Sequence, residues 1–385
     1  MRIRCLRLLP AVLLTLAPVG CSRAPQQPPP APPTLATRVR ERGLKPRVVV
    51  VRHAAFSRLA WVGTQPRLAA QWVADPNIQA YQPVVGFVSA TTGALDPLYD
   101  ASGHGPGPAR FVISPAPSHD GRTLAMADFG ELPWRAAPIR ARLLLRSLAH
   151  GTEKRPAEDL GASFLTEIAW ASGDNRLYLS QAYHPADPLP PSGRVLRIDA
   201  DGRNRVDLFD REGCGLANSP DDRHLAFAVS PPAPQSRWEI RVINPETSAP
   251  ESALSDAWSP SWRGEELWYV SGDQPDPHVT LPHGFGRAVS RCTRAGAGAP
   301  QVIATAPQGR RITRAEMAPD GSGLWALMDD SSLWLLNADG KEWLQLDAHA
   351  ECPAWSPDSA HLAWAEPEPQ MARGEPGLYV LDLSP

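Results

Sequence analysis

A chain of 385 residues with 43% apolar side chains can bury a large core, and its formal net charge is only −3. Eight of the 38 basic residues but one of the 41 acidic ones precede residue 47, so the rest of the chain stands near −10. That remainder lacks the basic footprint that phosphate backbones require, which argues against a nucleic-acid partner. The 13 Trp and 43 Pro fit a loop-rich all-β protein and argue against one built from long helices.

At the start of the chain, Arg2, Arg4 and Arg7 precede the apolar run Leu8 to Leu16. That run is too short for a stable transmembrane helix and has the layout of a bacterial secretion signal, spanning residues 1–20. The following Ala17-Pro-Val-Gly-Cys21-Ser22 resembles a lipoprotein cleavage box, in which Cys21 is lipidated and becomes the mature N-terminus. Pro18 stands where Leu is usual, so ordinary signal cleavage nearby is the alternative. By the same resemblance, Ser22 rather than Asp after the Cys implies a periplasmic protein tethered to the outer membrane. The tract Pro25-Gln-Gln-Pro-Pro-Pro-Ala-Pro-Pro33 cannot form a packed core and reads as a stiff, extended spacer within a linker of residues 21–46.

From residue 47 onward the chain repeats. Its clearest unit is Cys352-Pro-Ala-Trp-Ser-Pro-Asp-Ser-Ala-His-Leu-Ala-Trp364 followed by Gly377-Leu-Tyr-Val-Leu-Asp382: a strand ending in Trp355, a tight turn, and two further strands. Pro fixes φ at the turn's first corner, and the Ser and Asp side chains bond nearby backbone N–H groups. Copies occur at Ser118-His-Asp-Gly-Arg-Thr-Leu124, Ser172-Gly-Asp-Asn-Arg-Leu177, Ser219-Pro-Asp-Asp-Arg-His-Leu225, Ser259-Pro-Ser-Trp-Arg-Gly-Glu-Glu-Leu267 and Ala318-Pro-Asp-Gly-Ser-Gly-Leu324. The loosest copy is Phe56-Ser-Arg-Leu59-Ala-Trp. Anchor leucines from Leu59 to Leu362 recur about every 50 residues, the spacing of propeller blades. Third strands follow, such as Val195 to Gly202 and Leu333 to Gly340, whose Asp-Gly ends are hairpin chemistry. Four antiparallel strands in each of seven units predict a seven-bladed β-propeller. The last unit has three strands of its own, and Arg47 to Arg52 has no place in the first unit, so the N-terminal strand is expected to complete blade 7 and close the ring. The only helix expected in the repeats is a short one near Arg67 to Ala74.

The Trp-Ser-Pro-Asp turn, the Leu-Ala-aromatic strand and the Tyr-Val-Leu-Asp strand resemble the TolB-type propeller family (WD40-like, PD40 repeats) over about Pro46 to Pro385. Members are usually described with six blades, which is the alternative count here. The resemblance implies a β-propeller lipoprotein.

The sequence offers no nucleophile elbow, His-Glu-x-x-His pair or phosphate loop, and no catalytic residue, cofactor or metal site is expected. His278 and His283 are the one close histidine pair, and they sit in a Pro-rich loop without a third ligand in view. The turn residues Asp120, Asp174, Asp221, Asp320 and Asp358 stand where turn geometry asks for them. Cys214, Cys292 and Cys352 fall in different units and read as thiols, with a single disulfide as the alternative.

Loops between second and third strands are long in six units: Thr64 to Gln82, Phe129 to Ile139, Gln181 to Gly193, Pro231 to Ser236, Gly272 to Gly286 and Glu366 to Gly377. Strand tryptophans serve the core, Trp170, Trp258 and Trp355 ending first strands. Trp72, Tyr81, Trp134, Tyr183, His184, Trp238, His283 and Phe285 are instead assigned to these loops as candidate partner contacts. The sequence therefore reads as a monomeric, non-enzymatic propeller, tethered to a membrane by its lipid, that binds a protein or peptide of the cell envelope. The other reading is a propeller enzyme or carbohydrate-binding protein with its site at the channel mouth.

Overall fold

The computed structural model describes residues 35–384 apart from 52–53, 74–81, 102–109, 131–140, 158–159, 161–163, 183–192, 230–237, 273–285, 294–297 and 367–376. Seven four-stranded antiparallel sheets account for every strand among the described residues. Sequential hairpins build blades 1 to 6, over Ala55–Asp100, Val112–Ala157, Phe164–Phe209, Cys214–Ser255, Ala257–Thr305 and Ile312–Asp347. Blade 7 takes three strands from Glu351–Asp382 and its outermost one from Arg47–Val50. In that strand Arg47 pairs with Val380, Val48 with Tyr379 and Val49 with Leu378, as the closure expectation requires. The fold is a seven-bladed β-propeller.

Turn chemistry sets the blades. Each first-to-second connection holds one residue with positive φ: Gly63, Gly121, Asp174, Asp222, Gly264, Gly321 and Ser359. Where the sequence reads Ser-x-Asp, the hydroxyl and carboxylate close the turn together. Ser356 Oγ donates to Asp358 Oδ1 at 2.6 Å, Ala360 N–H donates to the same carboxylate at 3.0 Å, and His361 N–H donates to Ser356 Oγ at 2.8 Å. The Ser118 and Ser219 turns repeat this pattern. Asp174 differs from the expectation: it occupies the positive-φ position, and its carboxylate crosses to blade 2, accepting from His119 N–H and Asp120 N–H at 2.9 Å each. Asp222 and Ser359 likewise reach the preceding blade, at Ser172 N–H and Asp320 N–H. Between blades 1 and 2 the turns touch directly; a Cβ on Gly121 would stand 3.1 Å from Gly63 N, so glycine is required for proximity as well as for φ.

Blade 1 departs from the sequence reading. Its innermost strand, Ala55–Trp61, contains Leu59, so the true anchor is Leu68, and Gly63-Thr-Gln-Pro66 forms the turn. The expected short helix near Arg67 is instead the second strand, Arg67–Val73, held by pairing on both sides from Leu68 to Trp72. In blade 5 the innermost strand ends at Trp262 and Arg263, and Trp258 lies near its start.

Indoles tie odd blades to the preceding ones. Trp61, Trp170, Trp262 and Trp355, at or next to the ends of innermost strands, donate Nε1–H to the carbonyls of Ala354, Ala116, Ala217 and Glu316 at 2.9 to 3.2 Å. Each large ring fills the wedge between blades and satisfies its one polar atom there. Within the span assigned to the linker, Leu35–Glu41 is a helix. Its Leu35 and Val39 are buried with Trp325 and Leu333 of blade 6, and Ala36 N–H donates to Asn337 Oδ1 at 2.8 Å. No described helix is long and apolar enough to cross a membrane.

Candidate functional site

Alternating hairpins give the propeller two unlike faces. First-to-second connections are two to six residues and lie on one face; second-to-third connections, on the other, are nine to sixteen residues in six blades and four in blade 6. Of the residues assigned to the long loops, Tyr81, Trp134, Tyr183, His184, His283 and Phe285, like Cys21, lie outside the described residues. Trp72 is corrected: it is 3% exposed on a second strand, packed against Phe56 with ring centroids 6.3 Å apart. It was misplaced because blade 1's turn lacks Ser-x-Asp. Trp238 is half-buried against the core of blades 4 and 5, and its carbonyl accepts from Ala257 N–H at 3.2 Å. Trp72 therefore serves packing, and Trp238 is in part withdrawn from the surface.

The sequence reading placed an alternative site at the channel mouth but named no residue of the central channel, a cavity of about 750 Å³ walled by the innermost strands. All seven of those strands carry an irregularity in pairing near their start: at Ser57, Ser114-Pro115, Thr166, Gly215-Leu216, Ser259-Pro260, Thr313 and Cys352-Pro353. A bulge of this kind re-aims side chains and frees backbone groups from the ladder. Neighbouring blades take up several of the freed groups. Ser114 N–H donates to Gln71 Oε1 at 2.8 Å, Ala315 N–H to Ser259 Oγ at 3.0 Å, and the Cys352 thiol to the Phe56 carbonyl at 3.8 Å.

The bulge in blades 1, 3 and 6 is a single Ser or Thr followed by a charged residue: Ser57-Arg58, Thr166-Glu167 and Thr313-Arg314, with Glu316 two residues on. Glu212, just ahead of blade 4, joins them on the wall. Arg58 and Arg314 flank blade 7, and both act electrostatically on Cys352. Glu167 is committed elsewhere, accepting from Gly215 N–H at 2.7 Å and Leu216 N–H at 3.1 Å. Arg314 stands 3.9 Å from Glu316, a loose pair.

For Arg58, Glu316 and Glu212, burial in the channel wall governs ionisation. It pulls the Arg58 guanidinium below its ordinary value, against the opposing pull of Glu167. It pushes the Glu316 carboxyl up despite Arg314, and the Glu212 carboxyl up despite its hydrogen bond with Thr166. The Cys352 thiol is pushed up to about 12 by burial, and Cys214 is raised as well, so both channel cysteines are protonated at neutral pH and poor nucleophiles. All three repeat cysteines are free thiols. Among the described residues no three His, Cys, Asp or Glu side chains gather as metal ligands.

Neither a family model nor a curated protein matches this sequence. Solved structures do. An oligogalacturonate lyase in complex with manganese aligns at TM-score 0.58 and 13% identity, over 88% of this chain and 97% of its own. The β-propeller domain of Cps50 (Swd1) from Myceliophteria thermophila aligns at 0.57 and 12%, over 88% and 100%. The propeller domain of the Trilobed protease from Pyrococcus furiosus, described as having an open velcro topology, aligns at 0.56 and 11%, over 86% and 96%. At these identities the likeness shows the fold alone. Enzymes and non-enzymes stand side by side among propellers, so function must be argued from the site.

Proposed function

We propose that this chain is a non-enzymatic, secreted β-propeller of the bacterial cell envelope, tethered to a membrane through lipid on Cys21, that captures a protein or peptide partner on its long-loop face. The observation that carries the reading is the contrast between the faces. On one, turns of two to six residues are hydrogen-bonded from blade to blade, as Asp174 is to His119 and Asp120; the other receives six connections of nine residues or more. Chain length spent on one rim is surface that can be adapted to a partner while the locked opposite face holds the ring rigid. The protonated state of Cys214 and Cys352 supports a binding role over nucleophilic catalysis.

Aromatic anchors of this kind contribute on the order of 2 kcal/mol each to an interface. Trp134→Ala combined with Tyr183→Ala should therefore abolish partner capture from envelope extracts while leaving the melting temperature nearly unchanged. Early melting of the double variant, or capture equal to wild type, overturns the assignment. For the tether, wild type should fractionate with membranes and Cys21→Ala with the soluble periplasm; equal release of both rules lipidation out.

The second reading, an enzyme or carbohydrate-binding propeller, is favoured by one feature only, the charged lining at Arg58, Glu167 and Arg314.

A further inference from the structure

The channel holds charges that the fold does not need. Blade contacts are made by indoles, bulge hydroxyls and turn carboxylates, yet Arg58 and Arg314 project from innermost strands onto the wall of a cavity of about 750 Å³. Among the described residues the Arg58 guanidinium makes no hydrogen bond or ion pair, and that of Arg314 has only its loose 3.9 Å pair with Glu316. The two arginines stand near enough that Arg314 makes the charge on Arg58 more costly. A guanidinium in such a setting costs stability unless an anion meets it.

The resident glutamates meet it poorly. Glu167 has both oxygens engaged by backbone N–H groups of blade 4, Glu316 approaches Arg314 only to 3.9 Å, and burial raises both the Glu316 and the Glu212 carboxyl. Two guanidinium groups thus stand on the wall on either side of blade 7, facing carboxyl groups and hydroxyls elsewhere in the same cavity. Planar guanidinium forks match carboxylates in geometry as well as charge. The volume falls within the range of small-molecule sites, roughly 300 to 1,000 Å³.

We propose that the central channel is a binding site for a small organic carboxylate, held by Arg58 and Arg314 and bearing hydroxyl or amino donors that face the channel glutamates. The site is distinct from the long-loop rim and stands whether or not that rim captures a protein.

Calorimetric titration of the full chain tests this, with L-tartrate and glycylglycine as probes and inorganic phosphate as the contrasting anion. At least one carboxylate should bind saturably below about 1 mM, and phosphate should bind at least tenfold more weakly. Arg58→Met and Arg314→Met should each weaken carboxylate binding tenfold or more with no loss of melting temperature, since Arg58 is a charge that burial disfavours and Arg314 is half exposed with only a loose ion pair. Arg314→Lys, which keeps the charge but loses the planar fork, should bind more weakly than wild type and more tightly than Arg314→Met, and the exposed-site control Arg203→Met should be unchanged. The proposal is overturned if neither carboxylate saturates, if phosphate binds as tightly, or if folded Arg58→Met and Arg314→Met bind as wild type does.

Discussion

The indole N–H of Trp61 in blade 1 donates to the carbonyl oxygen of Ala354 in blade 7 at 3.0 Å, across the seam where the ends of the ring meet. Closure thus has two parts: an outer one, the strand Arg47–Val50 paired with Gly377–Asp382, and this inner one beside the channel. Trp61→Phe keeps most of the ring's packing but leaves the carbonyl without its donor. The expected loss is about 1 to 3 kcal/mol, read as a lower denaturation midpoint.

The outer closure is tested by Val49, which is 4% exposed and pairs with Leu378. Val49→Asp places a carboxylate in that seam and should lower the denaturation midpoint more than Trp61→Phe does. Val48→Asp on the same strand, at a position 53% exposed, should leave it nearly unchanged. Equal effects of the two would mean that the strand does not pair as described.

Most of the ring was legible because its turns are local chemistry. A Ser-x-Asp sequence closes by bonds within five residues, so Ser118, Ser219 and Ser356 each announce a turn. Blade 1 uses Gly63 and Pro66 instead, which shifted its anchor from Leu68 to Leu59 and moved Trp72 from core to loop. The channel was hidden for another reason. Innermost strands have a neighbouring blade on either face and meet the channel along their unpaired edge, and bulges break the alternation by which strand faces are read. A signal was nonetheless present: Ser or Thr followed by a charged residue in three blades, and Ser-Pro or Cys-Pro in three others.

Asp174 offers a test of the turn-to-turn latch. It accepts from two N–H groups of blade 2 while holding a φ of 54°. Asp174→Gly relieves the backbone but deletes both bonds, whereas Asp174→Asn keeps an acceptor and tolerates the conformation. Thermal unfolding should rank wild type above Asn, and Asn above Gly. Gly equal to or above wild type would remove the latch from the account.

Two sets of carboxyls give stability opposite pH dependences. Burial raises Asp120, Asp221 and Asp358, but the Ser hydroxyls and turn N–H groups more than offset it, so all three lie below their ordinary value. Their contribution is present above the unfolded-state value, about 3.9, and is lost as pH falls through their folded values. Glu316 is raised, so its cost appears as pH climbs above the unfolded value. Glu316→Gln should therefore raise the melting temperature at pH 7 and have little effect near pH 4, while Asp358→Asn should lower it at pH 7 and flatten the acid limb.

The most direct measurement of which face works is photo-crosslinking from single positions in intact cells. A benzophenone amino acid at Tyr183, in a second-to-third connection, is compared with the same group at His119, in a first-to-second turn on the opposite face. The account predicts discrete adducts from Tyr183 and none from His119. Adducts from His119 alone, or equally from both, would contradict it.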